Sequence, residues 1–138
     1  MPQLAMTSPV EGLMSRKVVT VESSKTAFDV SREMLDHDIG CVVVMENKRL
    51  AGIVTKSDII REVVVKKLDP QKIYVTEVMS RPVITIDSQQ TLSDASSLMS
   101  KHNISKLPVV RSEELVGIIT STDIVRRNQP KKLAKDMI

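Results

Sequence analysis

The clearest structural signal in the chain is Gly52-Ile53-Val54-Thr55-Lys56-Ser57-Asp58, which recurs as Gly117-Ile118-Ile119-Thr120-Ser121-Thr122-Asp123. In both copies an apolar, β-branched run is followed by Thr and, three residues later, by Asp. That pattern predicts a strand that ends, turns and enters a helix, because Thr and Asp are favoured at helix starts. The glycine of each copy permits close approach of another backbone segment. The copies lie 65 positions apart, which predicts one structural unit that occurs twice.

The repeat extends well beyond this motif. The same offset aligns residues 13–61 with residues 78–126 without a gap. Apolar spacing and capping signals predict the order β-α-β-β-α in each copy. The predicted strands are 18–21, 41–45 and 50–54 in the first copy, and 83–86, 106–110 and 115–119 in the second. The predicted helices begin after Thr26 and Thr91 and, at the end of each copy, cover 57–67 and 122–128.

These elements predict an α/β fold with two modules. A unit of about 60 residues buries too little surface to be comfortably stable alone, so we expect the two modules to pack sheet-to-sheet with pseudo-twofold symmetry. The first module is predicted at 1–69, with the N-terminal segment, and the second at 70–138, with a basic C-terminal tail. The Lys-rich residues 66–77 link them. Pro108 is expected at the start or edge of a strand, because proline cannot donate to a β-ladder.

The composition narrows the class of protein. The chain has 138 residues, 41% of them hydrophobic, with a net charge of +3 and one cysteine. No apolar run approaches the roughly 20 residues that span a bilayer, and residues 1–10 do not resemble a secretory signal. A single cysteine cannot form an internal disulfide, which fits a reducing compartment, so we expect a cytoplasmic protein. One Tyr, one Phe and no Trp provide no aromatic platform for a base.

Signatures of catalysis are missing from the sequence. It contains no P-loop, no GxSxG, no dinucleotide fingerprint and no metal-ligand spacing, so we predict neither an enzyme nor a metal site nor a catalytic cofactor. His37 and His102 fall near the ends of predicted helices, where a histidine compensates the helix dipole. Cys41 is expected to be a small core residue of a buried strand rather than a nucleophile.

The acid of each repeated motif allows two interpretations. Capping alone explains Thr and Asp at this spacing, since an acid suits the first turn of a helix. A second interpretation is ligand binding: an Asp here repels the phosphate that a helix N-terminus otherwise attracts, whereas its carboxylate accepts two hydroxyl donors. The vicinal hydroxyls of a ribose are such a pair. The sugar of a bound nucleotide is therefore expected to face Asp58 or Asp123, with the phosphate turned toward a cation elsewhere.

Over residues 13–127 the chain resembles a tandem pair of CBS modules, also called a Bateman module. The resemblance rests on the paired Gly-x-x-Thr-x-x-Asp motifs, on the Met-Ser starts at Met14 and Met79, and on the Lys-Leu-Pro-Val-Val strand at 106–110. It implies a stand-alone prokaryotic CBS-domain protein that binds AMP, ADP, ATP or S-adenosylmethionine between its modules and signals by conformational change. It also implies a homodimer, with Val63, Val64 and Val65 at the interface, and a protein partner that reads the change.

The resemblance also implies site residues. The first site uses Thr55 and Asp58 for the sugar; its remaining residues are Arg16, Lys17, Val18 and Thr20 around the base and Ser105 and Lys106 near the phosphate. The second site uses Thr120 and Asp123 for the sugar, with Arg81, Pro82, Val83 and Thr85 around the base and Gly40 and Cys41 at the phosphate positions. Those two positions carry no cation, so the second site is expected to hold phosphorylated ligands less well. Asp58→Ala is accordingly expected to weaken AMP binding more than Asp123→Ala, and Lys106→Ala to weaken AMP more than adenosine.

Two other functions fit the sequence. The basic tail offers Arg126, Arg127, Lys131, Lys132 and Lys135 to a nucleic acid, but the lack of aromatic stacking residues counts against single-strand binding. We therefore expect neither a nucleic-acid partner nor a membrane. The third function is a structural dimerisation module whose ligand sites have degenerated.

Overall fold

The elements of the fold follow the predicted order β-α-β-β-α twice, in a computed structural model that describes residues 3–81 and 83–129. The first copy contains β1 (Thr20–Glu22), α1 (Ala27–His37), β2 (Cys41–Glu46), β3 (Arg49–Thr55) and α2 (Lys56–Ile59), which a π-helical turn (Ile60–Val64) continues. The second copy contains β4 (Ile86–Asp87), α3 (Leu92–His102), β5 (Lys106–Arg111), β6 (Glu114–Thr120) and α4 (Ser121–Val125). Each copy forms one three-stranded sheet, in the orders β1-β2-β3 and β4-β5-β6. The predicted α/β class is confirmed.

The chain forms two compact units. In each unit, the segment that precedes the first strand of one sequence copy packs against the sheet of the other copy. The central unit is Lys17–Ile84, and the terminal unit consists of the described residues of Met1–Arg16 and Thr85–Ile138. Ser15 therefore belongs with the second copy, where it pairs with Ile118 of β6 through two backbone hydrogen bonds of 2.9 Å. In the central unit Ser80 pairs with Ile53 of β3 in the same way, at 2.9 and 3.2 Å. The module boundary between residues 69 and 70 stays a prediction.

The sheet topology gathers three strand ends at one edge of each sheet. The first strand of each sheet runs parallel to the central strand, and the third runs antiparallel to it. The two hairpins turn at residues 47–48 and 112–113, all four of which have positive φ, a conformation that matches the twist of the flanking strands. The N-terminal ends of β1 and β2 therefore lie beside the C-terminal end of β3, where α2 begins. The second sheet places its corresponding ends at the start of α4.

The predicted place of Pro108 is wrong. Pro108 is the third residue of β5, which is the central strand of its sheet. Pro108 pairs with Ile118 of β6. The N–H and C=O of Ile118 bond to Ser15, on the side of β6 away from β5, so β6 does not need the N–H that proline lacks. In the first copy Val43 donates to the Val19 carbonyl at 3.1 Å, a bond that proline cannot make. The cost is one hydrogen bond to an edge strand, and that strand, β4, has two residues where β1 has three.

Both long helices begin at the predicted capping residues. Thr26 Oγ1 accepts from the Asp29 N–H at 3.2 Å, and Asp29 Oδ2 accepts from the Thr26 N–H at 2.9 Å. Thr91 and Asp94 make the same reciprocal pair at 3.1 and 3.0 Å. Each pair is a capping box, which satisfies two backbone donors at the helix start. The bond from the Thr26 backbone also lowers the pKa of Asp29.

The structure corrects two predictions about burial. Val63 was expected at an exposed interface, but it is 2% exposed and packs in a core cluster with Ala27 and Val78. Its neighbours Val64 and Val65 are exposed. Cys41 was expected in the core, yet it is only partly buried, because it is the first residue of β2 and lies at the sheet edge.

The predicted linker, residues 66–77, is part of the central unit and packs onto it. Asp69 Oδ1 accepts from the Gln71 N–H at 3.0 Å and starts a short 3-10 turn, Pro70–Lys72. Val75 is fully buried, and its N–H donates to the Lys25 carbonyl at 2.8 Å. Within the described part of the chain, none of the helices is long and apolar enough to cross a membrane.

Candidate functional site

The first Thr–Asp motif lies at the edge of the first sheet where three strand ends meet. Thr55 is the last residue of β3 and pairs with Cys41 of β2. The carbonyl of Gly40 accepts a hydrogen bond of 3.2 Å from the first N–H of α2. Val18 precedes β1 at the same edge because β1 runs parallel to β2, and Thr20 follows as the exposed first residue of that strand. The central unit therefore brings together residues that the sequence assigned to both sites.

The second motif has the same setting in the terminal unit. Thr120 ends β6 and pairs with Lys106, the partly buried first residue of β5. The carbonyl of the exposed Ser105 accepts a hydrogen bond of 2.9 Å from the first N–H of α4. Thr85 precedes β4 at the same edge. Lys106 thus lies beside the second motif within its own unit, and its assignment to the first site stays a prediction.

Both motifs are capping boxes, as the structural interpretation of the sequence predicted. Thr55 Oγ1 accepts from the Asp58 N–H at 3.2 Å, and Asp58 Oδ2 accepts from the Thr55 N–H at 2.8 Å. Thr120 and Asp123 make both bonds at 3.1 Å. One oxygen of each carboxylate therefore accepts a hydrogen bond from the threonine N–H, and the reciprocal bond from the aspartate N–H to the threonine hydroxyl fixes the position of the side chain.

The second oxygen distinguishes the two acids. Asp58 Oδ1 accepts a short hydrogen bond of 2.6 Å from Nη2 of Arg61. The Asp58 side chain is 5% exposed, whereas that of Arg61 is 61% exposed. Asp123 is partly buried, and no described residue donates to its Oδ1 or forms an ion pair with it. Asp123 therefore keeps an oxygen available, while both oxygens of Asp58 have a partner.

Two features accompany this difference: Arg61 lies within the π-helical turn that continues α2, whereas Arg126 is the non-helical residue at which α4 ends, and the residue after each arginine differs between the copies. Glu62 Oε1 lies 3.6 Å from Nε of Arg61, and Lys66 Nζ donates to Glu62 Oε2 at 2.9 Å. The hydrogen bond from Lys66, aided by the charges of Lys66 and Arg61, lowers the pKa of Glu62. Arg127 stands at the equivalent place in the second copy, beside Arg126. The sequence analysis missed the contact between Arg61 and Asp58; their i, i+3 spacing was the available signal, but Arg126 and Asp123 have the same spacing.

Arg127 takes a different role from Glu62. Its Nε donates to the carbonyl of Leu4 at 3.1 Å, and its Nη1 donates to the carbonyl of Ile124 at 2.9 Å. The guanidinium therefore connects α4 to the N-terminal segment of the terminal unit. Within the described residues, neither Arg126 nor Arg127 forms an ion pair with Asp123.

Of the remaining predicted site residues, Arg16 and Arg81 make their contacts away from the Thr–Asp motif of their own unit. Arg16 belongs to the terminal unit, where its side chain is 64% exposed and lies 4.0 Å from Glu11. Arg81 lines a cavity of about 630 Å³ near the β2–β3 hairpin, together with Arg49. Lys17 and Val83 belong to the central unit. Pro82 and the tail residues Lys131, Lys132 and Lys135 lie outside the described residues. The binding roles of all these residues stay predictions.

The histidines lie where the sequence places them. His37 and His102 are in the last turns of α1 and α3, and His37 Nε2 is 3.1 Å from Glu33 Oε2. Among the described residues, no group of three or more His, Cys, Asp or Glu side chains is arranged to hold a metal ion.

Comparisons with known proteins match both copies of the fold. The model of the CBS domain matches residues 10–65 and 75–129. The CBS domain-containing protein YhcV of Bacillus subtilis is 34% identical over 117 residues, which are 85% of this chain and 83% of that protein. The chain spans only 63% and 58% of two other relatives, uncharacterized proteins of Methanocaldococcus jannaschii (30% identical) and Methanopyrus kandleri (34% identical), of which the matches cover 83% and 80% of this chain.

Solved structures give the same result. An uncharacterized conserved protein from Pyrococcus horikoshii superposes with a TM-score of 0.84 at 30% identity, covering 95% of this chain and 99% of that one. The CBS domain pair of protein MJ0100, solved in complex with 5′-methylthioadenosine and S-adenosyl-L-methionine, has a TM-score of 0.77 at 30% identity and covers 87% of this chain and 94% of that one. Since the CBS model matches most of the sequence in two consecutive segments, this chain belongs to the CBS domain family and carries the domain twice.

Proposed function

We propose that this chain is a regulatory sensor that binds an adenosine-containing ligand through its Thr–Asp motifs and signals by a change of conformation. The observation that carries this proposal is the Asp123 carboxylate. The capping box fixes its Oδ2 at 3.1 Å from the Thr120 N–H, while its Oδ1 accepts no hydrogen bond from any described residue. A carboxylate held in place with one uncommitted oxygen is prepared to accept hydroxyl donors.

The ligand class follows from the chemistry of that oxygen. A ribose offers two neighbouring hydroxyl groups, and hydrogen bonds to a charged acceptor are stronger than those between neutral groups. A CBS domain pair of 30% identity was solved with two ligands that both contain an adenosine group, which supports the same class for this chain. AMP, ADP and ATP are proposed as further ligands on the basis of the family resemblance.

Binding measurements on two matched variants test the proposal. Asp123→Ala and Asp94→Ala each remove the acid at the third position of a capping box, and each is expected to cost about 0.3–1.5 kcal/mol of folding stability. Asp123→Ala alone is expected to weaken 5′-methylthioadenosine, because it also removes hydrogen bonds of about 1.5–3 kcal/mol to a charged acceptor. That is a loss of roughly ten- to hundredfold in isothermal titration.

The ligand panel provides the second control. We expect 2′-deoxyadenosine, which lacks one of the two hydroxyls, to bind more weakly than adenosine to the wild-type chain but about equally to Asp123→Ala. Equal losses of affinity in Asp94→Ala and Asp123→Ala would mean that the Thr120–Asp123 motif only caps its helix and does not bind the ligand. A wild-type chain that binds none of 5′-methylthioadenosine, S-adenosylmethionine, AMP, ADP and ATP would refute the sensor function.

We also propose that the chain forms a homodimer through an apolar face of the central unit. Leu35 on α1 and Ile60, directly after α2, are 77% and 55% exposed, and both line a groove of about 320 Å³. Val64, at the end of the π-helical turn, is 61% exposed. Exposed apolar groups that are clustered in this way favour association.

Sedimentation of charged variants tests the dimer. Val64→Glu is expected to convert the dimer to a monomer, because the glutamate would be desolvated in the interface. Val125, which is 75% exposed in the terminal unit, supplies the matched control, and Val125→Glu is expected to leave the mass unchanged. A wild-type chain that sediments as a monomer at all concentrations tested would contradict the proposal.

A further inference from the structure

The two motifs have identical Thr and Asp residues but unequal surroundings. We infer that Arg61 is a positioning residue that occupies the carboxylate of Asp58 and so closes the first motif. A sugar is therefore expected to bind the second motif more tightly. The inference rests on the proposed function and adds to it a difference in affinity between the two motifs. It concerns each unit by itself, since Asp58 and Arg61 both belong to the central unit and Asp123 to the terminal unit.

The closed state of Asp58 follows from its contacts. Oδ2 accepts from the Thr55 backbone at 2.8 Å and Oδ1 from Arg61 at 2.6 Å. With 5% of the side chain exposed, a pair of ligand hydroxyls reaches this carboxylate only after the guanidinium moves. Arg61 is 61% exposed, so it can move without disturbing the core. The affinity of the first motif for a sugar is therefore reduced by the free energy of the contact that Arg61 gives up.

The neighbours of Arg61 stabilise the closed state. Glu62 lies 3.6 Å from the Arg61 Nε and is itself bound by Lys66 at 2.9 Å, so an acid lies next to the guanidinium whose Nη2 donates to Asp58 and helps to hold it there. In the second copy Arg127 replaces this acid and donates its hydrogen bonds to backbone carbonyls. Arg126 therefore has a positive neighbour where Arg61 has a negative one, and Asp123 keeps its Oδ1 available.

This inference reverses an order that the sequence suggested. Because Gly40 and Cys41 provide no cation for the phosphate of the second site, the sequence predicted that Asp58→Ala weakens AMP binding more than Asp123→Ala does. For a ligand without a phosphate that argument does not apply, and the contact with Arg61 decides instead. We expect Asp123→Ala to remove the tighter binding event for 5′-methylthioadenosine and Asp58→Ala to leave it in place.

Isothermal titration of the full chain with 5′-methylthioadenosine tests the inference. The wild-type chain is expected to show one tight and one weaker equivalent. Arg61→Ala is expected to increase the affinity of the weaker equivalent about fivefold, which is the value of one partly screened ion pair. Arg61→Met, which retains the apolar stem but not the charge, is expected to do the same. Glu62→Gln should give a smaller increase, and Arg126→Ala, the matched control, none.

The outcomes separate this inference from the proposed function. If the wild-type chain binds the ligand but neither Arg61 variant gains affinity, or if Asp58→Ala removes the tighter event, the role of Arg61 is refuted while the sensor function stands. If no variant binds any adenosine-containing ligand, both proposals are refuted. A merely structural role of Arg61 predicts instead that both Arg61 variants unfold more easily and that the affinity of neither equivalent increases.

Discussion

Replacing Gly117 with alanine tests the reasoning about how the N-terminal segment attaches to the second sheet. A Cβ at this position would lie 2.8 Å from the Ser15 carbonyl oxygen and 2.9 Å from Met14 Cγ. Ordinary contacts begin at 3.4 Å, so the backbone of the segment has to retreat by about 0.6 Å. The two hydrogen bonds of 2.9 Å between Ser15 and Ile118 span the same gap and lengthen with it.

The expected loss of stability is the difference between a destabilising effect in the folded state and a smaller stabilising effect through the unfolded chain. Overpacking of this kind costs about 1–3 kcal/mol, and weakening two backbone hydrogen bonds accounts for a loss of that size, since each contributes about 1 kcal/mol. Alanine also reduces the conformational freedom of the unfolded chain, which returns about 0.4–1 kcal/mol. We expect Gly117→Ala to lower the free energy of unfolding by about 1–2 kcal/mol. Urea denaturation followed by circular dichroism measures this loss as a lower midpoint at an unchanged slope.

Two other glycines provide a graded control. At both Gly52 and Gly117 the nearest atoms belong to a flexible methionine side chain, that of Met79 or Met14, but the Ser80 carbonyl oxygen is 3.0 Å from a Cβ at Gly52, compared with 2.8 Å for the Ser15 oxygen and a Cβ at Gly117, so Gly52→Ala is expected to cost less. At Gly12 the nearest atom is Leu4 Cδ2 at 3.7 Å, so Gly12→Ala is expected to leave stability unchanged or raise it by up to about 1 kcal/mol. The reasoning is refuted if Gly117→Ala proves as stable as Gly12→Ala.

Two further predictions concern single side chains. The Ser88 hydroxyl is fully buried and has no hydrogen-bond partner among the described residues, so Ser88→Ala is expected to leave the unfolding free energy unchanged or raise it by up to about 1 kcal/mol; calorimetry showing a clear loss would contradict this. The lowered pKa of Asp29, whose ordinary value is 3.8, means that the folded state binds this proton less tightly than the unfolded state. Its contribution is present above that value and is lost as the pH falls through the lower folded pKa, so the stability of Asp29→Asn should depend less on pH in acid; identical pH profiles for variant and wild type would contradict the assignment.

Local signals made much of the fold predictable from the sequence. The capping residues Thr26 and Thr91 start both long helices because a hydroxyl and an acid three residues apart satisfy backbone donors within one turn. The turn at Asn47 and Lys48 follows from strand patterns on either side of a short polar segment. The same locality explains why the capping role of Asp58 could be predicted, since the motif contains both partners of each hydrogen bond.

Contacts between distant segments were not predictable in this way. The pairing of Ser15 with Ile118 joins residues more than 100 positions apart, and the tolerance of Pro108 depends on that pairing. The interface prediction grouped the consecutive residues Val63, Val64 and Val65, although neighbouring residues of a helix point in different directions, and only Val64 and Val65 are exposed. The helix also continues as a π-helical turn, in which the Val65 N–H donates to the Ile60 carbonyl, and the apolar spacing and capping signals of the sequence do not predict such a turn.

The difference between Glu62 and Arg127 explains why identical motif residues do not make identical sites. Glu62 holds a guanidinium beside Asp58, while Arg127 binds the Leu4 carbonyl, and Leu4 in turn donates its N–H to Asn128 Oδ1 at 2.8 Å. The same position of the repeat therefore closes a carboxylate in one unit and attaches the N-terminal segment in the other. The two copies also differ within the motif, where Lys56 and Ser57 correspond to Ser121 and Thr122, but neither Thr nor Asp of the capping box changes. If the proposed sites bind a ligand, we expect residues such as Glu62 and Arg127, which flank the motif and are partly buried, to tune the affinity while the capping box itself stays the same.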